Sequence, residues 1–328
     1  MRAIVYHTYG SPDVLELEEV EKPAPQDDEV LVKVYAASVN ALDWHLLRAD
    51  PFLARLNMGL LKPKHQILGA DVAGRVEAVG GNVKQLRPGD EVFGDIFESG
   101  LGGFAEYVCT REVALVLKPS NISFDEAAAI PVAALTALQG LRDKGQIQPG
   151  QKVLINGASG GVGTFAMQIA KALGAEVTAV CSTRNVDMVR SLGADQVIDY
   201  TKEDFTKSGQ RYDLILAVNG YHPILDYKRA LSPKGRYVMT GGNMAQFFQA
   251  IALGPVISMT GSQKMGNFLA KANHNDLLFI KELLEAGKVK PVIDRRYPLS
   301  EVAEAIRYLE EGHAQGKVVI TVDQDNKT

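Results

Sequence analysis

Cysteine is scarce in this sequence of 328 residues, which contains only Cys109 and Cys181. Neither one belongs to a Cys-x-x-Cys pair or to a cluster with histidine. A disulfide framework needs several cysteines at matched spacings, and a structural zinc site made of thiolates needs four. The cysteine content therefore argues against both, and it favours a reducing compartment.

The sequence shows neither a strong basic cluster nor a secretory-signal pattern, nor an apolar segment long enough to span a bilayer. The net charge is -4 without a strong basic cluster, so we expect no nucleic-acid partner. The first residues, MRAIVYHTYGSPD, lack the charged-then-apolar layout of a secretory signal. The most apolar segment, residues 247–259, is too short to span a bilayer and is broken by Gly254 and Pro255. We therefore expect a cytoplasmic protein without membrane association.

The chain contains two regions of different character. About 120 residues at the start are rich in β-branched residues and turns, as in EVLVKVYAASV. Ser123 and Glu126 then form a Ser-x-x-Glu capping box that opens an Ala/Leu helix interrupted at Pro131. Alternating patterns follow, with strands at 152–156, 176–180, 196–199, 213–218 and 235–240 and helices at 163–173, 185–192 and 223–231. This alternation indicates a parallel sheet with helices on both faces. Two amphipathic helices and a last strand, GKVVITV, end the chain.

A glycine cluster lies between the strand at 152–156 and the helix that follows. Its spacing, Ala158-x-Gly160-x-x-Gly163, fits the dinucleotide fingerprint with alanine in the first place. Small residues there allow a sharp turn, a close approach to a pyrophosphate and tight helix packing. Glycines at such a turn can also be purely structural, but the flanking strands and helix favour a phosphate cradle. The expected cofactor contacts are Ser159, Gly160, Gly161 and Val162.

The end of the second predicted strand, VCSTRN, indicates which dinucleotide binds. An NAD site usually places an acid there for the ribose hydroxyls, and none occurs between Val180 and Val186. Hydroxyls and a guanidinium suit a 2′-phosphate, so the sequence predicts NADPH as the cofactor. The predicted contacts are Cys181, Ser182, Thr183 and Arg184. The alternative for Arg184 is a solvated loop residue.

At this point the sequence resembles the medium-chain dehydrogenase/reductase superfamily, and within it the zinc-free quinone oxidoreductases and alkenal or enone reductases. The motifs that carry the resemblance are GADVAGRVEAVG, RPGDEVFG, GGFAEY, AAAIPVAALTAL and GASGGVG. The resemblance implies an α/β protein with a GroES-like β-rich catalytic domain, interrupted by a Rossmann domain with a doubly wound parallel sheet. We expect the catalytic domain at residues 1–122 and 268–328 and the NADP-binding domain at residues 123–267.

The sequence departs from the zinc-dependent members of this superfamily. Those members carry a cysteine in the loop after an early strand and a Gly-His-Glu further on. Asn40 and Ala70 stand at these places, and the four-cysteine structural lobe is absent. Without a thiolate or an imidazole, a tetrahedral zinc site loses its main ligands. We therefore expect no metal.

The loss of zinc restricts the reaction. Reduction of a simple ketone produces a basic alkoxide that needs a Lewis acid or a well-placed proton donor. Hydride transfer to a quinone or to the β-carbon of an enone leaves a more stable phenolate or enolate, for which hydrogen-bond donors suffice. The sequence thus predicts an NADPH-dependent quinone oxidoreductase or enone reductase.

Three residues are candidates around the reacting carbon. Asn40 is a candidate donor to the acceptor oxygen, Asp43 orders the loop, and Trp44 forms an apolar wall. The alternative for Asp43 is a helix cap for the segment WHLLR. His45 is left out, because a single histidine on a helix is more often structural or solvated.

The resemblance also implies further cofactor contacts. Thr136 is expected near the nicotinamide, Tyr200 near the 2′-phosphate, and Asn219, Gly241 and Gly242 along the cofactor cleft. The alternative for Tyr200 is packing against the sheet edge. A different class of function stays open, namely an NADPH sensor or membrane-peripheral binding protein that uses residues 247–261 as a surface anchor. The better interpretation of that segment is a crossover helix followed by the last Rossmann strand. A homodimer is also kept open.

Overall fold

The structure is a computed structural model, and it describes residues 1–50, 55–242 and 244–322. The chain divides into two compact units. The β-rich unit comprises Met1–Val132, Ala272–Glu285 and Pro291–Thr328. The parallel-sheet unit comprises Ala133–Lys271 and Ala286–Lys290.

Fifteen strands and ten α-helices are formed by the described residues. The strands are β1 Arg2–Val5, β2 Glu16–Glu19, β3 Glu29–Val39, β4 Asp71–Val79, β5 Glu91–Asp95, β6 Tyr107–Arg111, β7 Leu115–Leu117, β8 Lys152–Asn156, β9 Glu176–Cys181, β10 Gln196–Asp199, β11 Tyr212–Ala217, β12 Leu231–Met239, β13 Lys264–Asn267, β14 Ile293–Pro298 and β15 Lys317–Thr321. The helices are α1 Ala41–Arg48, α2 Arg55–Met58, α3 Phe124–Ala128, α4 Pro131–Gln139, α5 Gly161–Ala172, α6 Val186–Ser191, α7 Ile224–Ala230, α8 Met244–Thr260, α9 His274–Glu285 and α10 Val302–Glu310.

The β-rich unit is built on one long strand, β3, which pairs antiparallel with β4, β6 and β15. The sheet runs in the order β14-β15-β3-β4-β5-β7, with β6 on β3. Its last strand, β15, places Val318 opposite Val39, so the end of the chain returns to the first unit as expected. The apolar side of this sheet packs with α1 and α10 into one core.

The boundary between the units lies about ten residues later than the sequence predicts. The capping box is present, because the Ser123 backbone N–H donates to Oε2 of Glu126 at 2.8 Å and the Glu126 N–H donates to Oγ of Ser123 at 3.2 Å. The helix that it starts, α3, packs on β3 and β4 and therefore stays with the β-rich unit. Pro131 interrupts the helical region as predicted, because it begins the separate helix α4.

The parallel-sheet unit has the strand order β10-β9-β8-β11-β12-β13, and every neighbouring pair is parallel. Counted from β8, this is the order 3-2-1-4-5-6 of a doubly wound Rossmann sheet. The five strands predicted from the alternation are confirmed within a few residues. The sixth strand, β13, begins only at Lys264, beyond the segment 247–261 in which it was expected.

Residues 247–259 form one helix, so the break expected at Gly254 and Pro255 is wrong. Helix α8 runs from Met244 to Thr260 with Pro255 inside it. A Cβ on Gly254 would lie 2.8 Å from the backbone oxygen of Met265, which shows that a glycine here lets the helix pack closely on β13. Among the helices of the described ranges, none is long and apolar enough to cross a membrane.

Candidate functional site

The glycine turn after β8 contains two glycines that the fold itself requires. Gly157 has a φ of 86°, and a Cβ there would lie 2.7 Å from the backbone nitrogen of Asn219. A Cβ on Gly163 would lie 2.2 Å from the backbone oxygen of Gly157. Both contacts are too short for a side chain, so these two glycines serve the turn and the close packing of α5 on β8.

Gly160 differs from both, because protein packing does not require it. Its φ is -82°, which any residue adopts, and the nearest atom to a Cβ there is the Gly157 oxygen at 3.8 Å. An added side chain would instead occupy open space at the beginning of α5. Gly160 is the N-cap of that helix, and Gly161 and Val162 follow in its first turn. Backbone N–H groups at a helix start without helical partners suit a pyrophosphate, so the turn fits a dinucleotide.

Asn185, which the sequence motifs do not single out, holds the polar residues after β9 beside the glycine turn. Asn185, only 4% exposed, donates from Nδ2 to Oγ of Ser159 at 2.9 Å and to Oγ of Ser182 at 3.2 Å. One amide therefore joins the predicted pyrophosphate loop to the predicted 2′-phosphate residues. Its signal in the sequence was only its place just beyond STR in the motif VCSTRN.

An acid from the neighbouring strand does lie beside the end of β9, although residues 180–185 contain none. The parallel register places Asp199 of β10 beside Cys181. The Thr183 hydroxyl donates to Oδ2 of Asp199 at 2.6 Å, and Lys202 lies 3.1 Å from the same oxygen. These hydrogen bonds, the one from Thr183 first, lower the pKa of Asp199. The expectation of an acid-free strand end thus holds for the segment but not for its surroundings.

The remaining predicted contacts of the parallel-sheet unit are distributed as follows. Arg184 is exposed. Tyr200 is 61% exposed, and its backbone N–H donates to the backbone oxygen of Cys181. The Cys181 thiol is buried, and burial raises its pKa to about 11. Asn219 and Gly242 lie near each other beyond the carboxyl ends of β11 and β12, next to the glycine turn. Gly241 precedes Gly242, and Thr136 lies half-buried on α4.

The predicted cofactor contacts around the glycine turn lie at the topological switch point of the parallel sheet. Strand order reverses between β8 and β11, and ligands of open α/β sheets bind at that edge. The structure therefore brings together the glycine turn, Ser182, Asn219 and Gly242 at one place in the parallel-sheet unit.

A second polar group lies in the β-rich unit, around Asn40. Asn40 Nδ2 donates to Oδ2 of Asp71 at 2.8 Å, while Oδ1 accepts from the Lys317 ammonium. Lys317 also lies 3.3 Å from Oδ2 of Asp71, and the Ser38 hydroxyl donates to the same oxygen at 2.7 Å. All four side chains are buried. We call Ser38, Asn40, Asp71 and Lys317 the lysine cluster.

Strand register builds the lysine cluster. Ser38 of β3 is opposite Asp71 of β4, and Val39 is opposite Val318 of β15. One step beyond that pair, Asn40 and Lys317 come next to each other. The sequence motifs do not single out Lys317 or Asp71, although a lysine at the start of the apolar strand GKVVITV is a visible signal. Asn40 keeps one amide proton that is only weakly engaged, with the Ser38 oxygen at 3.5 Å.

Asp43 is the third residue of α1 and forms a capping box with Asn40, the N-cap, so the helix begins three residues before the segment WHLLR that Asp43 was expected to cap. Its Oδ2 accepts from the Asn40 backbone N–H at 2.7 Å at the start of α1, and its Oδ1 accepts from the Gly69 N–H at 3.1 Å. These two hydrogen bonds join the start of α1 to Gly69, and Asp43 is fully buried. Burial raises the pKa of Asp43 to about 7. Trp44 stacks on His45, with ring centroids 3.5 Å apart.

A third buried acid borders the lysine cluster. Asp95 of β5 is opposite Asp71 of β4, and its Oδ1 accepts from the Phe97 N–H at 3.0 Å. Burial, with the neighbouring charge of Asp71, raises the pKa of Asp95 to about 7. No group of three or more His, Cys, Asp or Glu side chains within the described ranges is arranged to hold a metal ion.

Two family models match the chain. An alcohol dehydrogenase GroES-like domain matches residues 26–120, and a zinc-binding dehydrogenase domain matches residues 192–320. With the two units and the glycine turn, these matches define the class, a two-domain dehydrogenase/reductase with a GroES-like domain and a nucleotide-binding Rossmann domain. The predicted fold class is confirmed.

Individual relatives narrow the class. A 2-methylene-furan-3-one reductase from Solanum lycopersicum is 39% identical over 331 residues, which cover 98% of this chain and 79% of the relative. An NADPH-dependent alkenal/one oxidoreductase from Arabidopsis thaliana is 36% identical over 337 residues, with the same coverage of 98% and 79%. The solved quinone oxidoreductase from Coxiella burnetii has a TM-score of 0.88 at 32% identity and covers 98% of this chain and 99% of its own. The chain belongs to the medium-chain dehydrogenase/reductase superfamily and is an oxidoreductase.

The same comparisons correct the expected cytoplasmic location. Several relatives are named as chloroplast or mitochondrial proteins, including the alkenal/one oxidoreductase above. The expectation depended on a secretory-signal pattern and on a reducing interior, and neither distinguishes the cytosol from an organelle. The prediction of a cytoplasmic location is therefore wrong.

Proposed function

We propose that this protein is an NADPH-dependent, zinc-independent reductase that transfers hydride to quinones or to the conjugated C=C bond of enones and alkenals. The observation that carries the proposal is the lysine cluster. The Lys317 ammonium bonds Asn40, which stands where zinc-dependent members carry a cysteine, and Asp71, which directly follows Ala70 at the second such place. A divalent cation there would face a buried ammonium, so the cluster disfavours a metal.

The cofactor proposal depends on the residues around the glycine turn. NADPH supplies the hydride when it is bound. Gly160 and the first N–H groups of α5 hold the pyrophosphate, while Ser182 and Arg184 contact the 2′-phosphate. The Asp199 carboxylate stays ionised, but the Lys202 ammonium 3.1 Å away offsets its charge.

The polar side chains of the β-rich unit support the proposed substrate class. The lysine cluster contains amide and hydroxyl donors and a buried ammonium, but neither a thiolate nor an imidazole. Hydrogen-bond donors stabilise an enolate or phenolate adequately and an alkoxide poorly. Asn40 holds its amide in a fixed orientation, so its weakly engaged proton is the proposed donor to the acceptor oxygen.

The test is steady-state kinetics of NADPH oxidation with a benzoquinone, methyl vinyl ketone, cyclohexanone and, in reverse, cyclohexanol. We expect turnover with the first two and negligible rates with the simple ketone and alcohol. Asn40→Ala should lower kcat with the enone more than it weakens NADPH binding. Robust metal-free alcohol oxidation beside inert quinone and enone would contradict the proposal.

One observation favours a second candidate, a membrane-peripheral binding protein of the same fold. Helix α8 exposes apolar side chains on one face, among them Phe248 at 61%, Val256 at 55% and Met259 at 86%. The oxidation assay separates the candidates, because a binding protein would take up NADPH without consuming it. Sedimentation with vesicles of neutral and anionic phospholipids would measure the membrane contact directly.

A further inference from the structure

Asn185 occupies a short turn that joins β9 to α6, and its side chain is buried between two serines. Its backbone N–H donates to the backbone oxygen of Ser182 at 2.9 Å. Its Nδ2 donates to the hydroxyl oxygens of Ser159 and Ser182. The following inference rests on the proposed NADPH function and names a residue that determines how the phosphate groups are recognised.

The direction of these hydrogen bonds decides what the serines can offer. A serine hydroxyl has one proton and two acceptor lone pairs. Because Ser159 and Ser182 both accept from Asn185, neither spends its own proton on that contact. Among the described residues, no protein acceptor is bonded to either proton. Both hydroxyls therefore keep a proton that they can donate to a phosphate.

Thr183 differs from the two serines, because the proton of its hydroxyl is already donated. Its hydroxyl donates to Oδ2 of Asp199 at 2.6 Å, and the Thr201 hydroxyl donates to the other oxygen of that carboxylate at 2.7 Å. The Asp199 carboxylate can only accept, so the Thr183 proton stays with it. A phosphate dianion also has only acceptors and needs donors. Thr183 cannot serve it while this bond is made.

We propose that Asn185 is a positioning residue that turns Ser159 and Ser182 into phosphate donors, and that Ser182 rather than Thr183 reads the 2′-phosphate of NADPH. Oδ1 of Asn185 is buried without a hydrogen-bond partner in the described structure, so the contacts made by this amide are those of its donor end. An aspartate has the same shape but would accept from both serines and turn their protons inward.

The experiment measures nucleotide binding by calorimetry, without turnover. Adenosine 2′,5′-bisphosphate and AMP, which differ only in the 2′-phosphate, are titrated into wild type, Asn185→Asp and Asn185→Leu, with melting temperatures recorded for each. The quantity that matters is the ratio of the two Kd values, because general damage to the site changes both. We expect Asn185→Asp to lose about tenfold or more of the preference for the 2′-phosphate, since charge-assisted contacts are lost. Asn185→Leu should lose less of this preference. Leucine neither donates to the two serine hydroxyls nor accepts from them, so their protons can still reach the phosphate.

Matched controls test the charge and the neighbouring hydroxyls. Asn82→Asp makes the same change of charge at an exposed site of the β-rich unit and should leave the ratio unchanged. Ser182→Ala should lower the ratio about as much as Asn185→Asp, whereas Thr183→Val should leave it near the wild-type value.

The outcomes separate the two proposals. A wild-type preference for the bisphosphate that survives in Asn185→Asp would overturn this inference and leave NADPH binding intact. The same holds if Thr183→Val, but not Ser182→Ala, removes the preference. A wild-type protein that binds both nucleotides equally would overturn the NADPH proposal, and the inference would fall with it.

Discussion

Nζ of Lys317 lies 3.3 Å from Oδ2 of Asp71, and the two residues are 246 positions apart in the chain. Their side chains are 4% and 0% exposed, so this is a buried ion pair. Taking both charges out of water is costly, and the pair is kept in place by the further bonds of Asp71 to Ser38, Asn40 and the Val132 N–H. The pair fixes the amide of Asn40 in one orientation.

Removing one member of this pair should destabilise the β-rich unit strongly. Lys317→Met leaves the Asp71 carboxylate buried without its cation, and we expect a loss of about 3–5 kcal/mol in the free energy of unfolding. Adding Asp71→Asn should recover about 1–3 kcal/mol relative to the sum of the single changes. Urea unfolding of the four proteins in the cycle measures the coupling.

The matched control for this change is Lys22→Met in the same unit. Lys22 pairs with Glu77 at an exposed site, with both side chains 38% exposed. Surface pairs contribute about 0–1 kcal/mol, so this variant should unfold nearly as wild type does. Equal losses from Lys317→Met and Lys22→Met would show that the buried pair has no special role.

Two glycines of the nucleotide turn should respond differently to alanine. Gly163→Ala places a Cβ 2.2 Å from the Gly157 oxygen, so it should lower the melting temperature markedly or prevent folding. Gly160→Ala meets no protein atom closer than 3.8 Å and should melt within a few degrees of wild type. Its methyl group enters the proposed phosphate space, so ADP should bind about tenfold or more weakly. Normal ADP binding by a folded Gly160→Ala would contradict the cradle.

Asp95 should make the protein less stable as pH rises. Its pKa is raised from 3.8 to about 7 by burial and by the charge of Asp71. The folded state therefore keeps a proton that the unfolded state releases above about pH 4, and stability falls between about pH 4 and pH 7 and then levels off. Asp95→Asn keeps an oxygen for the Phe97 N–H but has no such titration.

Melting temperatures of wild type and Asp95→Asn at pH 5 and pH 8 test this. The variant should gain relative to wild type at pH 8, because only the wild type has to ionise a buried carboxyl there. A difference between the two proteins that is the same at both pH values would mean that Asp95 is already ionised at pH 5.

Zinc should play no part in activity. The purified protein is expected to contain less than about 0.1 zinc per chain, and NADPH oxidation should be unchanged after dialysis against a chelator. Asn40 and Ala70 offer neither a thiolate nor an imidazole, and Lys317 already supplies a buried cation. One tightly bound zinc per chain, found by metal analysis, would overturn this prediction.

Local signals in the sequence were sufficient for much of this fold. The capping box of Ser123 and Glu126, the strand at 152–156 and the glycine turn depend on residues close in sequence, so their chemistry is visible without a structure. The absence of zinc ligands at Asn40 and Ala70 could also be read from the motifs. The break expected in α8 failed because packing of Gly254 on β13 holds a helix that local propensity disfavours.

The tertiary structure decided what surrounds each of these residues. Asn40 meets Lys317 because β15 pairs with β3, and Asp199 comes beside Cys181 because β10 pairs with β9. Strand register depends on which apolar faces are buried together, and it joins residues whose separation in sequence carries no signal. The sequence thus determined the class of fold and the kinds of side chain available. Only the pairing of distant strands determined which charge each buried carboxylate faces.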